Sequence, residues 1–405
     1  MTVTIRPGQP HGTVCAPPSK SMAHRLLICA GLSDGESVVQ GVAPSEDVLA
    51  TLDCLTALGA EVRREGERVL IRGTDVRARR TTAVLHCRES GSTLRFFLPL
   101  CLLSGQEARL CGSERLLSRP LDVYETICRA QGISFEHEAC ERRVCGTLSP
   151  GGFSLPGNVS SQFISGLLFA LPLLHGASSI RLRPPVESEP YIRMTLQALD
   201  AFGITAEWRD DMTLAVPGGQ CYQPGSADVE GDWSNAAFFL ALDTLCGGVS
   251  VTGLRTDSLQ GDKVCGGYLR ALAAGDTTLD IADCPDLGPV LFAAAAALHG
   301  GTFTGTARLK LKECDRGAAM QEELRKFGVE VELAENRIRV PAGLRTPTEP
   351  LDGHNDHRIV MALSVLCAKT GGVIHGAEAV RKSFPDFFAQ LKALHMEVES
   401  NGMDQ

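Results

Sequence analysis

The sequence predicts an α/β protein of two similar domains, each built from three units that read strand, helix, strand, helix, hairpin. Two observations carry that expectation. Helix starts recur at Ser19-Lys20-Ser21, Ser90-Gly91-Ser92, Ser160-Ser161-Gln162, Asp232-Trp233-Ser234-Asn235, Pro285-Asp286 and Asn355-Asp356-His357. Most lie about seventy residues apart, the signature of a repeated supersecondary unit. Between them, apolar-periodic runs end at a glycine and pass into alternating strand residues.

Taken in order, the opening VTIRPG reads as a strand that pairs within the far domain. In PPSKSMAHR the prolines end what precedes, Ser19 or Ser21 can cap a helix, and LLICA continues it. Lys20 and Arg25 then lie near a helix N-terminus, where unpaired N–H groups already favour an anion. EDVLATLDCLTALG, LDVYETICRAQG, YIRMTLQALDAFG and AAMQEELRKFG carry apolar residues at helical spacing and turn at Gly59, Gly132, Gly203 and Gly328, and FPDFFAQLKALHMEVE is a fifth relative. The stretches that follow, such as AEVRREGERVLIRG and VELAENRIRV, read as hairpins with polar turns. The interval from Ser234 to Asp286 is short, and GDKVCGGYLRALAAGDTTLDI reads there as a unit without its terminal hairpin. A boundary after three units, near VEGDWSN, gives one domain over 19–228 and a second from 1–18 plus 229–405.

A hydrophobic content of 44% with 21% charged residues describes a soluble globular chain. The net charge of −9, with no basic stripe, argues against a nucleic-acid partner. No apolar run is long enough to span a membrane, and MTVTIRPGQPHG has no signal-peptide core. The 15 cysteines lack CxxC pairs or metal-ligand spacing. Cys54, Cys246 and Cys367 read as small core residues, which points to a reducing cytoplasm. There is no GxxxxGK[ST], GxSxG or HExxH motif, which argues against a P-loop nucleotidase, an α/β-type serine hydrolase and a zincin.

If the units pack alike, their first helices gather their N-termini into an anion trap. Cations stand at the same places: Lys20, Arg25, Arg95, Arg119, Lys312, Arg316, Arg358 and Lys382. Such a set suits phosphate or carboxylate. Ser21, Ser160, Ser161, Gln162, Ser188 and Tyr191 suit a polyhydroxylated or phosphorylated small molecule, and Gly91 lets it approach the backbone. Asp286 and Glu313 are candidates for acid or base. Their alternatives are an N-cap for Asp286 and an i,i+3 surface salt bridge between Glu313 and Arg316. Ser160-Ser161 also reads as a helix cap, Tyr191 as a buried ring, and His357 as a capping or packing histidine.

The stretches PPSKSMAHR, ESGSTLRF, LLSRPLDV, NVSSQFISGLLFALPLL, ESEPYI, VEGDWSNAAFFL, SLQGD, CPDLGPVLFAAAA, LKLKECDR, HNDHRIVMAL and KSFPDFF, in this order, resemble the 5-enolpyruvylshikimate-3-phosphate (EPSP) synthase family of enolpyruvyl transferases. The resemblance implies an inverse α/β prism, two domains each of three βαβαββ units about a pseudo-threefold, with the active site in the cleft between them. It implies transfer of the enolpyruvyl group of phosphoenolpyruvate to the 5-hydroxyl of shikimate 3-phosphate, through a tetrahedral intermediate, in the shikimate route to chorismate and aromatic amino acids. Lys20, Gly91, Arg119, Gln162, Arg316, Arg358 and Lys382 would hold phosphoenolpyruvate. Ser21, Arg25, Ser160, Ser161, Gln162, Ser188, Tyr191, Asp286 and Lys312 would hold shikimate 3-phosphate. Asp286 would take the hydroxyl proton, and Glu313, assisted by Lys20, would protonate the methylene carbon. Arg308 and His357 are possible additions. No metal or organic cofactor is called for, and a cytoplasmic monomer is expected.

Two positions depart from the family pattern: Glu89 and Arg308 stand where many relatives have Asn. Arg308 reads either as an added phosphate contact or as a solvent-facing residue. Glu89 brings negative charge towards the phosphoenolpyruvate region. Two alternatives share the fold: the enzyme that acts on UDP-N-acetylglucosamine, and a silent anion-binding protein. The first typically has Lys-Asn in place of Lys20-Ser21 and a reactive cysteine near the loop CGSERLLSRP, where Cys111 is expected on the preceding strand.

Overall fold

The computed structural model describes residues 1–402. The chain forms two compact units, Pro18–Glu230 and Met1–Pro17 with Gly231–Gln405. Each has its own hydrophobic core, and the two cores share no residue.

Pro18–Glu230 contains three four-stranded sheets of one design. In the sheet Ala83–His86, Ala108–Cys111, Glu141–Cys145, Ser134–His137, the first two strands are parallel and the rest antiparallel. Parallel neighbours need a crossover, and the helix Gly91–Cys101 supplies it. A second helix, Asp122–Ala130, leads into the hairpin. Gly152–Pro156 and Ser178–Arg183 repeat the arrangement around the helix Ser161–Ala170. In the first repeat the helix Lys20–Gly31 leads into Glu36–Gln40, whose parallel neighbour Ser226–Asp228 comes from the far end of the unit. The unit therefore closes on itself.

The other unit follows the same plan with one omission. Thr277–Asp280, Gly301–Thr304, Arg337–Val340 and Glu332–Ala334 form a complete sheet. In the last sheet Thr2–Ile5 takes the inner hairpin position beside Val398–Asn401 and Gly372–His375. The fourth repeat has only Gly12–Cys15 and Val249–Thr252. One strand, Thr277–Asp280, lies between Leu272 and Asp283, and it opens the next sheet. The fourth repeat is short because its hairpin is missing.

The caps follow from short polar side chains. Ser19, not Ser21, caps Lys20–Gly31 by accepting from the Met22 N–H. Ser90, Ser160, Asp232 and Asp356 cap their helices in the same way. The N-cap offered as the alternative reading of Asp286 does not form. Pro285 opens a 3-10 turn, Pro285–Leu287, and the helix Gly288–Ala297 starts beyond it without a side-chain cap. That helix, GPVLFAAAAA, is apolar on every side and buried except at its last residue, packed against Trp233–Cys246 and His357–Thr370. Gly203 and Gly328 end their helices at φ 73° and 80°, where a side chain would be strained. All 15 cysteines are free. Cys54 and Cys367 are core residues, but Cys246 is only half-buried, at the end of its helix.

Candidate functional site

In Pro18–Glu230, Lys20, Gly91 and the run Ser160, Ser161, Gln162 stand at the starts of the helices Lys20–Gly31, Gly91–Cys101 and Ser161–Ala170. Ser188 and Tyr191 stand at the start of Glu189–Ala201, and Arg119 just beyond the short helix Glu114–Leu117. Lys20 Nζ donates to Asp47 Oδ2 at 2.7 Å, with both side chains largely buried. Arg25 is 3% exposed. Its Nε donates to Thr195 Oγ1 at 2.8 Å, and its Nη atoms donate to the carbonyls of Ser21 at 2.6 Å and Tyr191 at 3.0 Å. Its guanidinium lies 5.3 Å from the centre of the Phe96 ring. Burial pushes the Arg25 pKa down to about 10, partly offset by Tyr191 and Cys29. The cation is thus held rigidly from four sides.

Gln162 joins two helix starts. Its Oε1 accepts from Arg95 Nη1 at 2.8 Å and its Nε2 donates to Ser92 Oγ at 2.9 Å. Arg119 lies over Gly91, where an added Cβ would stand 2.5 Å from Arg119 Nη1. Glycine at this buried helix start therefore makes room for a guanidinium beside the helix N-terminus. Ser160 is the N-cap, Ser161 is buried, and Ser188 is buried at φ 59°. Tyr191 is half-buried and its ring lies 6.0 Å from Arg25, so it is not the fully buried ring of the alternative reading.

In the other unit Asp286, Lys312, Glu313, Arg316 and Arg358 come together around Arg316. This guanidinium is 1% exposed and meets three carboxylates. Nη1 donates to Asp286 at 2.7 Å, Nη2 to Glu313 at 2.8 Å, and Nε to Asp356 at 2.7 Å. The i,i+3 pair of Glu313 and Arg316 exists, but it is not a surface salt bridge. Asp286 also takes Lys312 at 3.1 Å and Arg358 at 3.3 Å. Burial opposes its ionisation, but Arg358, Lys312 and Arg316 outweigh burial and hold its carboxyl well below the usual range. Burial lowers the Lys312 pKa, with Asp286 opposing.

Lys382 Nζ donates to the Asn355 carbonyl at 2.6 Å. His357, the first residue of its helix, is buried with Nδ1 3.8 Å from Asp356 Oδ1. Arg308 does not face solvent: it is 6% exposed and its Nη2 donates to the Ala282 carbonyl. Glu89 directly precedes the cap Ser90. Cys111 lies on its strand with Sγ 3.7 Å from Glu141 Oε2, and burial and that carboxylate push its thiol up, which disfavours a reactive thiolate.

Sequence reasoning missed Asp47 and the second role of Asp356. Asp47 lies in the first turn of the helix Glu46–Leu58 and looks there like an ordinary favourable acid. Asp356 was expected only as a helix start, yet it both caps the helix and grips Arg316. Nothing in local spacing pairs Asp47 with Lys20 or Asp356 with Arg316.

The family model described as EPSP synthase (3-phosphoshikimate 1-carboxyvinyltransferase) matches residues 6–271 and 272–391. A 3-phosphoshikimate 1-carboxyvinyltransferase of Clostridium perfringens (strain SM101 / Type A) is 37% identical over 414 residues, covering 97% of this chain and 98% of that relative. One from Clostridium kluyveri is 37% identical and covers 98% of each. Among solved structures, an EPSP synthase from Acinetobacter baumannii is similar at a TM-score of 0.79 and 23% identity, over 98% of this chain and 100% of the other. The enolpyruvyl transferase NikO from Streptomyces tendae is similar at a TM-score of 0.77 and 13% identity, over 98% of each chain.

Proposed function

The chain belongs to the EPSP synthase family, and on that premise we propose that it transfers the enolpyruvyl group of phosphoenolpyruvate to the 5-hydroxyl of shikimate 3-phosphate, releasing phosphate. The observation that carries the reading is the cluster of Asp286, Lys312, Glu313, Arg316 and Arg358 around one buried guanidinium. It supplies two carboxylates for proton movement and cations to hold anions.

Lys20, Gly91, Arg119, Gln162, Arg316, Arg358 and Lys382 are the residues for phosphoenolpyruvate. Ser21, Arg25, Ser160, Ser161, Gln162, Ser188, Tyr191, Asp286 and Lys312 are those for shikimate 3-phosphate. Two polyanions repel each other, and fixed cations offset that repulsion and align them. Asp286 accepts the proton of the attacking hydroxyl. At rest its cations make it a weak base. When the anionic substrates draw on Lys312 and Arg358, their hold on Asp286 slackens and its basicity rises. Glu313 delivers a proton to the methylene carbon, with Lys20 assisting. In the tetrahedral intermediate the Glu313 carboxylate takes back a proton from the new methyl group as the carbon–oxygen bond to phosphate breaks, which restores the double bond of the enolpyruvyl product and releases phosphate.

The protein acts as a monomer, and its 15 free thiols suit a reducing cytoplasm. Among the described residues no helix is long and apolar enough to cross a membrane. A phosphate-release assay tests the reading. Release with phosphoenolpyruvate and shikimate 3-phosphate, and none with UDP-N-acetylglucosamine, is expected, and the reverse pattern overturns it.

A further inference from the structure

Glu323 is a carboxylate with no exposed surface in the helix Arg316–Lys326, away from the groups assigned to substrate. Its Oε2 accepts from the Asp352 N–H at 3.0 Å. Its Oε1 meets His354 Nε2 at 2.9 Å and Lys326 Nζ at 2.9 Å. The segment it holds is unusual: His354 and Asn355 have φ of 48° and 51°, two successive left-handed residues with side chains. Such a backbone persists only where its surroundings over-determine it. It leads directly into Asp356, which grips Arg316. The Asn355 carbonyl is the acceptor for Lys382. One helix therefore holds this turn twice, through Arg316 at its start and through Glu323 two turns later.

We propose that Glu323 and His354 are positioning residues for enolpyruvyl transfer: they brace the turn 352–356 so that Asp356 fixes Arg316 and the Asn355 carbonyl fixes Lys382. The inference rests on the roles given above to Arg316 and Lys382. A metal centre is the competing use of this cluster, since ligand atoms of Glu322, Glu323 and His354 lie within 4.8 Å of one another. The Lys326 ammonium on the same Glu323 oxygen as His354 decides against it, because a fixed cation there repels a metal ion.

The charged groups around His354 are Glu322, Glu323 and Lys326 on the helix and Asp352 at the strand end. The hydrogen bond that His354 donates to Glu323 raises the His354 pKa, burial opposes it, and the charges of Glu323, Asp352 and Glu322 add to the rise. The brace is a charge-assisted bond at the acid side of that pKa and an ordinary one above it.

The test uses the full-length protein. His354→Asn tolerates the left-handed backbone but is too short to reach Glu323, whereas His354→Gln retains a neutral donor. His354→Asn is expected to raise KM for phosphoenolpyruvate about tenfold through Arg316 and Lys382, and KM for shikimate 3-phosphate by no more than about twofold, because Lys312 and Arg358 still hold Asp286. His354→Gln is expected to restore most of the affinity but to lose the alkaline decline that titration of His354 gives the wild type. Wild-type constants and pH profile in His354→Asn overturn the proposal, as does an equal rise in both KM values. Loss of wild-type activity in EDTA with recovery on adding a divalent cation also overturns it, in favour of the metal centre. If the wild type releases no phosphate from the two substrates, the enolpyruvyl-transfer reading fails instead. The brace is then read by hydrogen exchange of the 352–356 amides, where unchanged protection in His354→Asn refutes it.

Discussion

Arg316 is almost wholly buried, and its three nitrogens are each matched to a carboxylate oxygen. A guanidinium fixed in this way cannot leave with a substrate, so it acts as a template that holds Asp286 and Glu313 at defined positions. Asp286→Asn removes the common partner of Arg316, Lys312 and Arg358. Breaking a buried ion pair from one side costs about 3 kcal/mol, and a denaturant titration at pH 7 is expected to register a loss of that size. The depressed Asp286 pKa places this stabilisation above the ordinary aspartate range. It is lost as pH falls below about 4. Asp286→Asn should therefore flatten the acid limb of stability against pH, and a limb as steep as the wild type's would remove Asp286 from that role. For the chemistry, Glu313→Ala and Lys20→Met are each expected to lower kcat by about a hundredfold or more. Turnover near the wild-type value in either variant contradicts the proton-transfer roles.

At the scale of the element, the starts of helices carry most of the chemistry, and they were the most legible features of the sequence. Ser19, Ser90 and Ser160 announce their helices locally, because a cap and the apolar period behind it lie within a few residues of each other. Glycine stops at Gly203 and Gly328 are equally local. The strand Ser226–Asp228 was illegible as the first strand of the first repeat, since three residues reading SAD carry no strand pattern and their partner, Glu36–Gln40, is far away in the chain. The N-cap alternative for Asp286 is ruled out for a local reason, the 3-10 turn that begins at Pro285. Its ionic partners, like Asp47 beside Lys20, depend on tertiary packing. The start of the helix Gly91–Cys101 offers a direct test. Alanine is a better helix residue than glycine, so Gly91→Ala should not weaken the helix. Its Cβ would stand 2.5 Å from Arg119 Nη1 and displace that guanidinium. The expected result is a rise of about tenfold in KM for phosphoenolpyruvate with an unchanged melting temperature. An unchanged KM would show that Arg119 does not hold this substrate.

For the molecule as a whole, two cores with separate residues make each unit its own carrier of stability. Each unit also holds a buried or half-buried histidine, and the two respond to pH with opposite sign. In Pro18–Glu230, burial drives the His24 pKa well below its ordinary value, with Lys20 and Arg25 adding to the effect. The folded unit keeps His24 neutral. As pH falls through about 6.5 the unfolded chain takes up a proton that the folded unit refuses, and stability declines. In the other unit the hydrogen bond to Glu323 raises the His354 pKa. Its contribution is fully present below about 6.5 and is lost as pH rises through the raised value. The chain has 2 tryptophans, Trp208 in the first unit and Trp233 in the second, so each unit can be followed alone. In Trp233→Phe the remaining Trp208 fluorescence is expected to report a lower thermal midpoint at pH 5.5 than at pH 8, values chosen about one unit or more either side of free histidine. In Trp208→Phe the Trp233 signal is expected to move the other way, and adding His354→Gln should abolish that movement. Equal shifts of the same sign in both single-tryptophan variants would show that neither histidine governs the pH response of its unit.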